Sequence, residues 1–178
     1  MNGLLKRIDP TFVFQEDLYK HVPRFVLKVE KEGTLYVLKA FNHFDQWECD
    51  HIATEVRALD LACDVKGITH LVQNYDTISG YDAILKEYQE GHQPRWRELE
   101  ETGLQTQLER TVGELHERGL VKLELLTRNV IIAPDQKSVS IIDLGSCLFQ
   151  DKISQSLFNE WKEMDWRMYR KLTGSRLY

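Results

Sequence analysis

The strongest constraint on the fold is a pair of strand-like runs joined by a short turn near the start of the chain. The run 24–30 alternates apolar and polar residues with a period of two, which is typical of a half-buried β-strand. The run 35–41 is more apolar and predicts a more buried strand. Lys31-Glu32-Gly33-Thr34 lies between the two runs and predicts a hairpin turn. We therefore expect the first half of the chain to be built around a sheet.

The remainder of the first half adds further strands and one helix. Residues 12–14 predict a short strand before the hairpin. Residues 47–63 carry apolar side chains every three or four positions, which predicts an amphipathic helix. The runs 69–75 and 82–88 predict a second strand pair, with Ser79-Gly80 in the turn between them. The first half is therefore expected to be rich in strands, with one inserted helix.

The second half changes to a helical pattern. Residues 104–118 predict a strong helix that ends at Gly119, a plausible C-terminal cap. Two short apolar runs, 129–132 and 139–142, predict a small strand pair. Residues 156–172 predict a final helix with one apolar stripe, which comprises Leu157, Trp161, Met164, Met168 and Leu172.

The length and the order of these elements predict one domain of the α+β class with two parts. The 178 residues are enough for one domain with its own core. We expect a strand-rich part over residues 1–88 and a helical part over residues 89–178, within a single domain spanning 1–178.

The composition argues against several functional classes. The formal net charge is −5, so nucleic-acid binding is not expected. No apolar run reaches about 18 residues and the start of the chain lacks a hydrophobic signal core, so we expect no membrane span. The spacing of Cys49, Cys63 and Cys147 fits no disulfide framework or zinc pattern, which favours reduced thiols and a cytoplasmic protein.

Several polar residues interrupt or follow otherwise apolar segments. Taken alone, Lys39 at the end of its strand is typical of a lysine that reaches solvent, and Glu55 is typical of a solvated helix residue. Glu124 and Asn129 are five positions apart in an irregular segment, which can aim both side chains into one cleft. Asp143 ends a buried strand, where a charge is costly unless it meets a partner or a cation.

In their order along the chain these residues resemble the protein-kinase superfamily. Val37-Leu38-Lys39 occupies the place of the V-A-I-K strand, and Glu55 that of the glutamate on the next helix. The segment 122–129 resembles the H-R-D-x-x-x-x-N catalytic loop, and Asp143-Leu144-Gly145 resembles the D-F-G triplet. The segment 85–91 is similar to the connection between the two kinase lobes. The resemblance implies a two-lobed kinase-like fold with a truncated C-terminal lobe, closest to the RIO-like or lipopolysaccharide-kinase-like branches.

The resemblance also implies a set of roles around ATP and Mg²⁺. Lys39 would hold the α- and β-phosphates, and Glu55 would hold Lys39 in position. Glu124 would act as the catalytic carboxylate, while Asp143 and Asn129 would bind Mg²⁺. The resemblance implies that Lys39 and Asp143 belong to the catalytic set with Glu124.

The same resemblance implies which residues bind adenine and which group accepts the phosphate. Backbone groups at Glu87, Tyr88 and Gln89 would meet the adenine edge. The acceptor is not readable from the sequence, and a serine or threonine hydroxyl of a protein is the family's usual acceptor. A small molecule, a sugar or the chain itself are the alternatives.

Three departures from the family pattern leave other interpretations open. Glu124 replaces the family's aspartate and reaches one methylene further. The segment 14–23 has no glycine, so phosphate cover would come from Lys20, His21 or Arg24, or be absent. Few residues follow the aspartate triplet, so the usual large helical lobe is not expected. The alternatives to an active kinase are a pseudokinase that works as a binding module and an unrelated α+β domain.

Three further features are interpreted as structural. The acidic stretch 95–101 is expected to be a solvated helix face, and His116 a helix-end residue. Trp161, Trp166 and Tyr169 are expected in the core, although a dimer through the C-terminal helix is an alternative use of this surface.

Overall fold

The computed structural model describes residues 2–21 and 24–174, and this part of the chain divides into two compact units. The first unit comprises residues 2–56 and 70–88, and the second comprises residues 57–69 and 89–174. The predictions made for the side chains of Lys20, His21 and Cys49 lie outside the described side chains.

The first unit contains a five-stranded antiparallel sheet and confirms the expected α+β class. The strand order is β1-β2-β3-β5-β4. In chain order the elements are α1 (Asn2–Ile8), β1 (Val13–His21), β2 (Arg24–Lys31), β3 (Thr34–Asn42), α2 (Gln46–Leu61), β4 (Leu71–Ile78) and β5 (Tyr81–Glu87). The unit boundary falls within α2.

Both predicted hairpins of this sheet are confirmed. Glu32 and Gly33 have φ values of 53° and 78°, and Ser79 and Gly80 have values of 55° and 80°. Two central residues with positive φ make the tight turn whose twist matches that of antiparallel strands. Glycine is favoured at the second position because it adopts positive φ without a steric cost.

Strand β1 is longer than the predicted strand at 12–14. It runs from Val13 to His21 at the edge of the sheet, with register shifts at Phe14/Glu16 and Asp17/Tyr19. Edge strands can carry charged residues and bulges and still pair with their neighbour. The polar sequence of β1 therefore gave no clear strand signal beyond residue 14. The backbone up to His21 in the glycine-free segment is therefore strand, and positions 22–23 lie outside the described residues.

Two apolar clusters hold the first unit together. Helix α1, which the sequence did not reveal, contributes Leu5 and Ile8 to a cluster with Phe12 and the strand residues Leu27, Val29, Leu38, Ala40, Ala83 and Leu85. The second cluster joins α2 to the sheet through Phe41, Ile52 and Ile84, with Val26, Val56 and Leu71 packed against them. Each fully buried large side chain stabilises the fold by about 1.5–3 kcal/mol.

The second unit combines helices with two small antiparallel strand pairs. Strand β6 pairs with β9, and β7 pairs with β8. The elements are α3 (Glu98–Glu101), α4 (Gln105–Glu117), β6 (Leu120–Val121), β7 (Val130–Ile132), β8 (Val139–Ile141), β9 (Leu148–Phe149) and α5 (Gln155–Thr173), with 3₁₀ turns at Thr127–Asn129 and Gln150–Lys152.

The ends of the long helices follow their capping residues. Helix α4 ends as predicted, with Gly119 at a φ of 77° just beyond it. Helix α5 begins after Ser154, whose Oγ accepts a hydrogen bond of 3.2 Å from the Leu157 amide. No helix among the described residues is both long and apolar enough to cross a bilayer.

The apolar stripe predicted for α5 is buried only in part. Leu157 and Met164 are 38% and 41% exposed, whereas the buried face consists of Phe158, Asp165, Tyr169, Leu172 and Thr173. The buried face also contains a carboxylate, Asp165, which accepts hydrogen bonds from the amides of Lys122 and Leu123.

The acidic stretch at 95–101 is not wholly solvated. Glu98 and Leu99 are 4% and 0% exposed, so part of α3 packs inward. The Arg95 amide donates to the Glu98 carboxylate at 2.9 Å, and His92 Nε2 lies 2.8 Å from the same group. These hydrogen bonds hold the pKa of Glu98 at about 2, even though burial opposes ionisation.

Candidate functional site

A buried ion pair joins β3 to α2 in the first unit. The Lys39 ammonium donates to both carboxylate oxygens of Glu55, at 2.8 and 3.1 Å. The exposures of Lys39 and Glu55 are 4% and 0%. Lys39 lies on the face of the sheet that packs against α2. On the helix side, Ile52 and Val56 lie near Glu55 and pack with Phe41 and Ile84 of the sheet. Lys39 and Glu55, which the sequence analysis singled out, are therefore buried and paired directly with each other.

Lys86 on β5 is a second cation at the same carboxylate, and the sequence analysis missed it. Its ammonium pairs with Oε1 of Glu55, and the side chain is 2% exposed. Lys86 faces Val37 across the ladder while Lys39 faces Ile84, so both lysines project from one face of the sheet. A lysine that interrupts the apolar run of β5 was the signal available in the sequence. Glu55 therefore holds two ammonium groups at one point.

In the second unit, the irregular segment after β6 is fixed by Asp165 of α5. One carboxylate oxygen of Asp165 accepts a hydrogen bond of 2.9 Å from the Lys122 amide, and the other accepts one of 2.9 Å from the Leu123 amide. His116 lies in the last turn of α4, as predicted, and it is buried with its Nε2 3.1 Å from the same carboxylate. The three contacts anchor the segment that carries Glu124.

The backbone of this segment has an alternating, strained conformation. Lys122 and Glu124 adopt positive φ values of 61° and 46°, which are uncommon for residues other than glycine. The leucines at 123 and 125 are 1% and 2% exposed, so the residues between them point away from the core. The anchored leucines therefore present Lys122 and Glu124 at the surface of the second unit, where both are half-buried.

Asn129 closes the segment onto Glu124. The Asn129 side chain is 7% exposed, and its Nδ2 donates to the Glu124 carbonyl at 3.0 Å. The Leu126 amide donates to the same carbonyl at 2.6 Å. Since the amide nitrogen of Asn129 is engaged, its carbonyl oxygen is the atom with the chemistry to bind a cation.

Asp143 follows β8 at the same end of the β7–β8 pair as Asn129. The Ile142 amide donates to the Asn129 carbonyl at 2.9 Å, which places Asp143 one residue beyond that link. Asp143 is half-buried, and its Oδ1 accepts a hydrogen bond of 3.0 Å from the Gly145 amide. The structure therefore brings the backbones at these two predicted metal-binding residues together.

The chemistry of this pair fits Mg²⁺. A carboxylate and an amide oxygen are hard ligands of the kind Mg²⁺ prefers, and this ion usually keeps water and substrate phosphates for its other positions. Within residues 2–21 and 24–174, no group of three or more His, Cys, Asp and Glu residues is arranged to hold a metal. Asn129 and Asp143 would supply two oxygen ligands to such an ion, and its other ligands would be water or phosphate.

The segment expected to meet adenine is divided between the units. Glu87 ends strand β5, Tyr88 is the last residue of the first unit, and Gln89 opens the last segment of the second. The Glu87 amide donates to the His70 carbonyl at 3.0 Å. That amide is therefore engaged by a carbonyl of the first unit.

Arg24 is the one residue expected to cover phosphates whose side chain is described. Its guanidinium lies 4.2 Å from the ring centroid of Trp47 and 5.6 Å from that of Phe41. Such a position over aromatic rings suits a planar cation. The structure therefore shows Arg24 packed on two aromatic side chains at the start of β2.

A scan against protein-family models finds no match for this chain. A search of curated proteins finds no similar sequence.

Proposed function

We propose that this chain is an ATP- and Mg²⁺-dependent phosphotransferase with a minimal two-lobed protein-kinase-like fold, acting on a protein serine or threonine hydroxyl. The observation that carries the proposal is the buried Lys39–Glu55 pair, 2.8 Å apart, which links β3 to the following helix. In protein kinases, a lysine on the third strand and a glutamate on the next helix perform the corresponding task for the nucleotide phosphates.

The energetic cost of this pair supports a functional role. Taking two charges out of water costs several kcal/mol per ion, and apolar side chains of similar volume often stabilise a fold as well or better. Glu55 is 0% exposed and binds a second lysine besides. A fold that needed only stability would not require three charged groups at this point, whereas a phosphate site benefits from a positioned ammonium group.

In this proposal, residues of the second unit accept the proton and bind Mg²⁺. In the reaction, the bond from the γ-phosphorus to its bridging oxygen breaks, a new bond forms to the acceptor hydroxyl, and the hydroxyl proton passes to the Glu124 carboxylate. Asn129 and Asp143 would hold Mg²⁺ through oxygen atoms. The chemistry that the ion would supply is neutralisation of phosphate charge. ATP and Mg²⁺ are thus the proposed substrate and cofactor.

A pseudokinase is the second candidate, and a specific observation favours it. Glu124 stands where the family has aspartate, and its φ of 46° sets the longer side chain on a strained backbone. A general base must lie within hydrogen-bond reach of the proton it takes, so one extra methylene can slow transfer greatly. In this case nucleotide binding would persist and phosphoryl transfer would be lost.

Thermal unfolding with ATP, in the presence and absence of Mg²⁺, combined with transfer from γ-labelled ATP, tests the proposal. A ligand present at a hundredfold its Kd and bound only to the folded state adds about 2.7 kcal/mol of stability. We expect Asp143→Asn to lose the Mg²⁺-dependent part of this gain and the label transfer. Asp135→Asn, the same change at the exposed turn of the β7–β8 pair, is expected to behave like the wild type.

Each result has a distinct meaning. Stabilisation by ATP without label transfer to any acceptor would favour the pseudokinase. Absence of stabilisation by ATP would refute the active phosphotransferase and a nucleotide-binding pseudokinase. An unchanged Mg²⁺ response in Asp143→Asn would remove Asp143 from the metal site.

A further inference from the structure

The second unit contains a groove beside the anchored segment that carries Glu124. Its volume is about 370 Å³, within the usual range for a binding pocket. One wall is the segment after β6 and the other is the outer face of α5. The groove is lined by Lys122, Glu124, Leu126, Arg128, Trp161, Met164, Asp165 and Met168.

The floor of the groove is apolar. Trp161, Met164 and Met168 lie on one side of α5, and they belong to the apolar stripe identified in the sequence. Met164 is 41% exposed and Trp161 is only half-buried, so the stripe lines an open groove. Tryptophan and methionine are enriched in protein-binding surfaces, where methionine adapts to partners of different shape.

The rim of the groove carries two cations. Arg128 is exposed, and the Lys122 ammonium lies 5.7 Å from the ring centroid of Trp161. The Asp165 carboxylate accepts hydrogen bonds from two backbone amides and lies next to His116. It is 0% exposed, so a ligand in the groove does not reach its charge. Apart from the Glu124 carboxylate itself, the accessible charged groups that line the groove are therefore the two cations.

Resting on the proposed function, we propose that this groove binds the phosphate acceptor, and that the acceptor is a protein segment with acidic residues beside its serine or threonine and an apolar side chain. The carboxylates of the segment would face Lys122 and Arg128. Its apolar side chain would lie on Trp161, Met164 and Met168. The hydroxyl would then lie next to Glu124, the residue proposed to take its proton.

Charge complementarity is what selects this occupant. A basic segment would meet the two rim cations and be repelled, and a neutral polar ligand would leave the apolar floor in contact with water. Like-charge contacts across an interface are a strong source of specificity, and fully desolvated charge pairs also contribute to affinity. Acidic and apolar character together satisfy both halves of the groove.

Binding of two fluorescent peptides, measured by anisotropy without nucleotide, tests this proposal apart from catalysis. Both peptides contain serine and leucine; one has aspartates around the serine and the other has lysines at the same positions. We expect the acidic peptide to bind the wild-type chain at least about tenfold more tightly, which corresponds to about 1.4 kcal/mol. Arg128→Glu is expected to reverse or abolish this preference.

Two further variants sharpen the test. Arg110→Glu makes the same charge change at an exposed position of α4 outside the groove and is expected to keep wild-type binding. Met164→Ala removes part of the floor without disturbing the core, because the side chain is 41% exposed, and is expected to weaken the acidic peptide severalfold.

The outcomes separate the two proposals. Equal binding of both peptides, no binding of either, or an Arg128→Glu variant that binds like Arg110→Glu would overturn the groove proposal. ATP-dependent stabilisation could then still support the proposed function. Selective binding of the acidic peptide without label transfer would refute the phosphotransferase and show that the groove binds acidic, apolar segments without being an acceptor site.

Discussion

Glu55 is the residue on which the buried charges of the first unit depend. Its carboxylate pairs with the ammonium groups of Lys39 and Lys86, and neither lysine is more than 4% exposed. Removing the carboxylate would leave two like charges close together in a poorly solvated place. Breaking a buried ion pair in this way typically costs about 3–5 kcal/mol.

We expect Glu55→Gln, which keeps the side-chain volume, to lower the free energy of unfolding by about 3–5 kcal/mol. Lys86→Met is expected to cost less, because Lys39 continues to pair with the carboxylate and methionine suits a buried position. Urea unfolding followed by circular dichroism measures both changes. Glu163→Gln, on the exposed face of α5, serves as the control. Equal stability of Glu55→Gln and this control would show that the carboxylate is not needed.

Asp165 links helix α5 to the segment after β6 through hydrogen bonds. It lies in the middle of α5, and it fixes the backbone at Lys122 and Leu123, just before Glu124. Helices and turns are formed locally, whereas the orientation of this segment depends on a carboxylate more than 40 positions away, since Leu123 and Asp165 are 42 apart. The position of the proposed base is therefore set by another element.

Asp165→Asn is expected to reduce label transfer by about tenfold or more, since an amide in place of the carboxylate can accept only through one oxygen. Nucleotide affinity should stay near the wild-type value because Asp165 has no proposed contact with ATP. A fall in kcat with little change in the KM for ATP is the signature of a positioning role. Glu160→Gln, exposed on the same helix, is the control. A loss of ATP-dependent stabilisation as large as the loss of kcat would indicate general unfolding.

The elements that the sequence predicted well are those with local causes. Gly33 and Gly80 mark tight turns, and period-two runs on either side define the hairpins. The edge strand β1 was underestimated because its residues are polar, and pairing with β2 compensates for low strand propensity. The apolar stripe of α5 did not identify its buried face, because that face includes the acid Asp165, which hydrophobic spacing does not reveal.

The residues of the candidate site also differ in how far they could be predicted from local sequence. Lys39, Glu55, Asn129 and Asp143 were named from their order along the chain. Lys86 and Asp165 were missed because their importance comes from partners far away in sequence; Lys86 and Glu55 are 31 positions apart. A lysine inside an apolar strand is a signal, but only the fold shows which carboxylate it meets.

At the scale of the whole molecule, both units contain a carboxyl group that is held ionised to unusually low pH. In the first unit, burial opposes the charge of Asp9, but hydrogen bonds from Lys31 and Thr11 outweigh it and hold its pKa at about 2. In the second unit, the Arg95 amide and His92 hold the pKa of Glu98 at about 2. The ordinary values are 3.8 and 4.5.

A lowered pKa in the folded state stabilises the fold above the unfolded-state value, and this contribution is lost as the pH falls towards the folded-state value. We therefore expect the urea midpoint to be insensitive to these groups above a pH of about 5 and to fall between about 4.5 and about 2. Asp9→Asn and Glu98→Gln should each be less stable near neutral pH and show a shallower acid decline, measured by circular dichroism across a pH series. Asp135→Asn, at an exposed turn, should follow the wild-type curve. Acid declines that stay parallel in all three variants would show that other groups control the response to acid.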